Sequence, residues 1–183
     1  MPMTHPLRAI SPESLESRLS VRLHKPDVDA LVSAASDDSF GAPVLDGLLR
    51  AAISSPDAHV ASNAAWALTH LPRRLRPWIS AHRARLADRL LASRDVTLRR
   101  LLVTLLAGLD WAEADLRTDL FDFALASVTD CAAPLGIRAQ SVYLAHKMCA
   151  TVPDLAREFS LVKEVLSGED LAPGLRAALR RTM

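Results

Sequence analysis

Apolar residues recur along this chain at i, i+4, i+7 or i+8 and i+11, the spacing that places them on one face of an α-helix. Val60, Ala64, Ala67, Leu68 and Leu71 make one such stripe; Leu98, Leu102, Leu105, Leu106 and Leu109 make another. The stripes repeat. Val60, Leu98, Ile137 and Leu175 form one column and Ala64, Leu102, Ser141 and Leu179 a second, at intervals of 38, 39 and 38 residues. The segments before them repeat as well: Leu48, Leu86, Ala124 and Val162 stand 38 apart, as do Ala52, Leu90, Val128 and Leu166. Self-similarity at this period means helix pairs, each of which can bury its stripe only against its neighbours. The expectation is an all-α, right-handed solenoid of about five stacked pairs.

Helix boundaries follow from the turn residues. The first helix of each pair is expected at 43–54, 77–93, 116–129 and 154–167, the second at 57–71, 95–109, 134–150 and 171–181. Pro72, Pro77 and Pro153 interrupt the links between pairs because proline ends helices. The first 42 residues fit the register poorly and are expected to form an atypical N-terminal capping segment on a single domain spanning 1–183. Residues 1–11 read as a loose arm ending in a Ser11 N-cap with Pro12 in the first turn. A helix to about Leu23, a break at His24-Lys25-Pro26 and a second helix from Asp27 to Ser36 follow. Glu13, Glu16, Arg18, Arg22, Asp27 and Asp29 supply a polar outer face.

Composition narrows the chemistry. Half of the 183 residues are hydrophobic but only 4 % aromatic, so the core is built from Leu, Ala and Val. The formal charge of +1 argues against bulk attraction to nucleic acid. Cys131 and Cys149 have no CxxC spacing and read as free buried thiols. The first residues lack a signal-peptide pattern, and the longest apolar run, Leu101 to Leu109, is far below the roughly 20 residues a membrane span needs. A cytoplasmic protein is the expectation. There is no HExxH, no Gly-rich phosphate loop and no GxSxG, so no metal, cofactor or catalytic residue is implied.

The second helices resemble the HEAT-repeat family, including its bacterial short variant. That family's second helix reads roughly D-x-x-V-R-x-x-A-A-x-A-L-G-x-L. The first copy here has Asp57, Val60, Ala64, Ala65, Ala67, Leu68 and Leu71, with Ala61 in place of Arg. The second has Asp95, Leu98, Arg99, Leu102, Val103, Leu106 and Leu109. The third keeps Ile137 and Arg138 but has Pro134 in place of Asp, and the fourth keeps Leu175 and Arg176. The resemblance covers about residues 43–181 and implies a HEAT/armadillo-like solenoid whose second helices line the concave face. The matching residues are structural and carry no activity of their own.

Helical geometry puts a different set of residues opposite the apolar stripe. Asn63, Trp66, Arg100, Thr104, Gln140, Tyr143 and Lys147 form a candidate groove row, rich in the residue types that anchor protein interfaces. The leading expectation is a non-catalytic scaffold binding a peptide or helix of a partner protein there. Charge supplies the alternative. From His70 to Arg100 nine Arg face only two acidic residues, and the next thirty residues hold six acidic residues against Arg117. Arg73, Arg74, Arg76, Arg83 and Arg85 are therefore candidate phosphate contacts. They would serve a nucleic-acid binder similar to the HEAT-like DNA glycosylases that act on alkylated bases. The plainer account is that these arginines answer the neighbouring acidic repeat. Finally, the last helix (Leu171, Leu175, Ala178, Leu179) has no following element in the sequence to cover its stripe, so self-association through it, or docking onto another protein, is expected.

Overall fold

The computed structural model describes residues 12–150 and 152–182. The expected loose arm at 1–11, its Ser11 cap and the Glu13 side chain lie outside the described residues. Eleven α-helices make up the described chain, with no strand among these residues. They are α1 (Pro12–Leu19), α2 (Lys25–Ala35), α3 (Gly41–Ser54), α4 (Ala58–Thr69), α5 (Arg76–Ser80), α6 (Arg83–Ala92), α7 (Val96–Ala107), α8 (Thr118–Thr129), α9 (Leu135–Cys149), α10 (Pro153–Ser167) and α11 (Pro173–Arg180). The helices gather into two compact units, residues 1–79 and 80–183.

In the first unit α3 and α4 pack as a pair, and both α1 and α2 lie against that pair. Asp57 starts α4 by accepting the His59 amide at 2.8 Å, and Asp37 likewise holds the amides of Ser39 and Phe40 ahead of α3. Proline does not break the chain at Pro26. It sits in the first turn of α2, where its missing N–H costs nothing, and the break falls earlier, after Leu19. Asp27 closes that helix start by accepting the His24 amide at 2.8 Å. Because α1 and α2 pack on α4 in addition to α3, α4 is buried on more than one face: Ala61, Ala64, Ala65 and Ala67 are fully buried, and Ser62 and Asn63 are nearly so. Alanine at these positions lets the helices approach closely.

The second unit packs α8 against α9, α9 against α7 and α11, and α6 against α7. The columns read from the sequence are the core. Of their sixteen members only Val162 is half-buried; the rest, in both units, are buried. A turn at Ala81-His82 separates α5 from α6, where one continuous helix was expected.

The stripe of the last helix is not left open. Leu171, Leu175, Ala178 and Leu179 are buried, Leu175 completely, because α11 folds its strongly one-sided face onto α9. Lys163 of α10 donates to Thr182 O at 3.2 Å and closes the end of α11. Exposed apolar side chains on the neighbouring α10 include Leu161 and Val165, one turn apart.

Candidate partner-binding surface

The row predicted from the sequence divides between the units. Trp66 is half-buried on α4 in the first unit, its ring edge-on to His70 at 6.1 Å between centroids. Asn63 leaves the row. It is only 8 % exposed, and its Nδ2 donates to Leu19 O at 2.8 Å and Val21 O at 3.0 Å. The prediction failed because it took α4 to be covered on one side only, whereas α1 and α2 pack against the side expected to be open.

In the second unit the remaining five residues lie on two helices that pack together. Arg100 and Thr104 follow one another along α7, with Thr104 Oγ1 donating to Arg100 O at 2.8 Å. Gln140, Tyr143 and Lys147 follow one another along α9. Arg100 and Lys147 are exposed, and Thr104, Gln140 and Tyr143 are half-buried. The Arg100 side chain runs close past Gly136: a Cβ there would stand 3.2 Å from the Arg100 Cδ. Lys147 Nζ pairs with Asp110 Oδ1 at 3.1 Å, an exposed contact of the kind worth about 0–1 kcal/mol.

Part of the basic block is spent on the fold. Arg74 pairs with Asp38 at 3.0 Å and also donates to Ser36 O. Arg83 is more deeply committed: Nη1 lies 2.7 Å from Asp115 Oδ1, Nη2 donates to Asp110 O at 2.6 Å, and the guanidinium stands 4.8 Å from the centre of the Trp111 ring. Its side chain is 12 % exposed, so it is corrected from a candidate phosphate contact to a tie between α6 and the link after α7. Arg73, Arg76 and Arg85 are exposed. The acidic block answers in kind. Arg117 bridges Asp88 at 2.5 Å and Asp119 at 2.6 Å, which raises its pKa above the usual arginine value and lowers that of Asp119.

Cys131 and Cys149 are both free, but only Cys149 is buried. Cys131 sits in the turn between α8 and α9, correcting the expectation of two buried thiols. His146, on α9, is held below the usual histidine pKa by partial burial and by Lys163 and Lys147. Two hollows were not foreseen. One, of about 330 Å³, lies in the first unit beside Leu15, Leu19, Gly47 and Val60. The other, of about 370 Å³, lies in the second unit beside Arg99, Phe123 and Pro134. Hydrophobic periodicity marks positions that are filled and carries no signal for spaces left beside them.

Helix pairs that share one register and bury their stripes on their neighbours define a helical-repeat protein. The chain belongs to the HEAT repeat domain family, whose profile matches residues 15–183. It is similar to a chain in the structure of the complex of CpcE and CpcF of phycocyanin lyase from Nostoc sp. PCC7120. The TM-score is 0.61 at 14 % identity, covering 93 % of this chain and 96 % of that one. At that identity the likeness shows the fold alone. No curated protein matches the sequence significantly. Among the described residues no helix is long and apolar enough to cross a membrane.

Proposed function

We propose that the chain is a non-catalytic protein-interaction scaffold that receives a peptide or helix of a partner on its second-helix face. The observation that carries this reading is the row on α7 and α9. Arg100, Thr104, Gln140, Tyr143 and Lys147 are exposed or half-buried, while Leu101, Leu102, Val142 and Leu144 on the same helices are buried. A guanidinium, a phenol and an amide on two packed helices offer the anchors that dominate protein interfaces. The CpcE–CpcF complex is an assembly of two named proteins, which supports a protein partner for this chain too. Trp66 is a separate candidate contact, within the first unit.

Affinity capture from the source cell tests the proposal. Wild-type chain should retain a partner that the Arg100→Glu/Tyr143→Ala variant loses, with the helical circular dichroism of the two indistinguishable. Equal capture by both would overturn the assignment of this face. Heparin chromatography at low salt tests the nucleic-acid alternative, for which Arg73, Arg76 and Arg85 are the remaining exposed candidates. Retention that falls steeply with salt would favour it.

A further inference from the structure

The cleft of about 370 Å³ in the second unit lies beside the row rather than in it, at the start of α7, the end of α8 and the turn into α9. Val96, Phe123, Pro134 and Ile137 give it apolar walls, and Arg99 and Asp130 are its charged members. Val96 is about half exposed, at 51 %, so the cleft opens to solvent. The Arg99 guanidinium stands 5.0 Å from the centre of the Phe123 ring and makes no ion pair among the described residues. Its Nε is shut off from solvent and has no hydrogen-bond partner among them. The Asp130 carboxylate is turned to its own loop, accepting the Ala132 amide at 2.8 Å.

The repeat register shows what this cleft lacks. At the position where the two preceding copies carry Asp57 and Asp95, the third carries Pro134. Asp57 and Asp95 each put a carboxylate over the first amides of the helix that follows, Asp95 accepting the Leu98 amide at 2.7 Å. Pro134 has no side-chain acceptor to offer, so the fifteen-residue α9 begins without a side-chain cap, and the Ile137 amide donates to the Pro134 carbonyl at 2.8 Å instead. An unpaired guanidinium and an uncapped helix start therefore border the same apolar-walled space. Both favour a carboxylate, and the carboxylate in the lining, Asp130, is turned to its own loop.

We propose that this cleft binds a glutamate side chain flanked by aliphatic residues, presented by an extended segment of a partner protein. The carboxylate meets Arg99 and the start of α9, and the flanking aliphatic groups lie on Val96, Phe123 and Ile137. This site goes beyond the row on α7 and α9 and does not depend on it: none of Arg100, Thr104, Gln140, Tyr143 and Lys147 lines the cleft.

The test is a titration of the isotopically labelled full chain with three short peptides, followed through the amide signals of Ala132, Ala133 and Ile137. Acetyl-Leu-Glu-Leu-amide should bind at least about ten-fold more tightly than acetyl-Leu-Gln-Leu-amide, and more tightly than acetyl-Leu-Leu with a free terminal carboxylate. Arg99→Met, which keeps the stem, should erase the preference for Glu over Gln. Pro134→Asp, which builds in the missing carboxylate, should abolish binding of the Glu peptide while leaving the rest of the spectrum in place. That second variant decides the matter if Arg99→Met folds poorly. Equal affinity for the Glu and Gln peptides, better binding of the free terminus, unchanged binding in Pro134→Asp, or no perturbation at the cleft would each overturn the proposal. None of these results bears on the capture assay with Arg100 and Tyr143.

Discussion

Asn63 of α4 holds the end of α1 by a single amide group: its Nδ2 donates to Leu19 O at 2.8 Å and to Val21 O at 3.0 Å. The two carbonyls belong to the last turn of α1 and the residues just past it, where no further helical amide reaches back to them. One side chain thus does for α1 what a longer helix would have done, and it fixes α1 against α4 across more than forty residues of sequence. Asn63→Ala should destabilise the fold by about 1–3 kcal/mol by leaving buried acceptors without donors. Asn63→Asp should cost more, since a carboxylate cannot donate and would face two carbonyl oxygens. Urea unfolding of the three proteins, at unchanged m-value, measures both.

Ser141 occupies a core column otherwise filled by Ala64, Leu102 and Leu179. It is completely buried, and its Oγ has no hydrogen-bond partner among the described residues. An unpaired buried hydroxyl carries a desolvation cost with no return. Ser141→Ala should therefore stabilise the protein, by about 1 kcal/mol, raising the urea midpoint. Ser141→Leu should not, because the space was shaped around a small residue.

The two thiols differ enough to be told apart chemically. Cys131 is exposed in the turn after α8, whereas Cys149 is buried, and burial raises its pKa above the ordinary cysteine value. Only the thiolate reacts. A disulfide reagent should titrate one thiol in the folded chain at once and the second only on unfolding. Cys131→Ser should abolish the fast phase alone.

Asp119 links stability to pH. Its carboxyl is held below the ordinary aspartate value, chiefly by the hydrogen bond from Arg117. A carboxyl depressed in the folded state stabilises the fold above its unfolded pKa of about 3.9 and loses that contribution as pH falls through the lower folded value. Asp119→Asn should thus be less stable than the wild type at neutral pH, and the gap should close on acidification below about pH 4. The pair is largely exposed, so the gap is small, and unfolding midpoints compared at several pH values will show its direction.

Much of the fold was legible because it rests on periodicity. The columns through Leu48, Leu98, Leu102 and Val128 are a property of the sequence alone, and these residues are fully buried. The candidate surface was only partly legible. Arg100, Gln140 and Tyr143 stay at the surface as helical geometry requires, but Asn63 does not. A single stripe says which side of a helix is buried first; it cannot say that a second layer, here α1 and α2, arrives from the other side. The same limit explains α11. Its stripe was visible, but which neighbour covers it depends on how the link after α10 turns back toward α9. Charge blocks misled for a different reason: Arg83 and Asp115 are 32 residues apart in the sequence yet 2.7 Å apart in the fold.

The bridges that absorb those blocks have a consequence for repeat order. Arg83 reaches Asp115, Arg117 reaches Asp88, and Lys147 reaches Asp110, each joining one helix pair of the second unit to the adjoining pair or its link. Backbone and stripe are nearly interchangeable from one pair to the next, but these charges are not. A chain rebuilt with its α6–α7 segment duplicated would set Arg83 beside a second basic segment instead of Asp115, and shuffling the pairs would break every bridge at once. The hydrophobic columns do not distinguish one order of the pairs from another; the charges favour the order found.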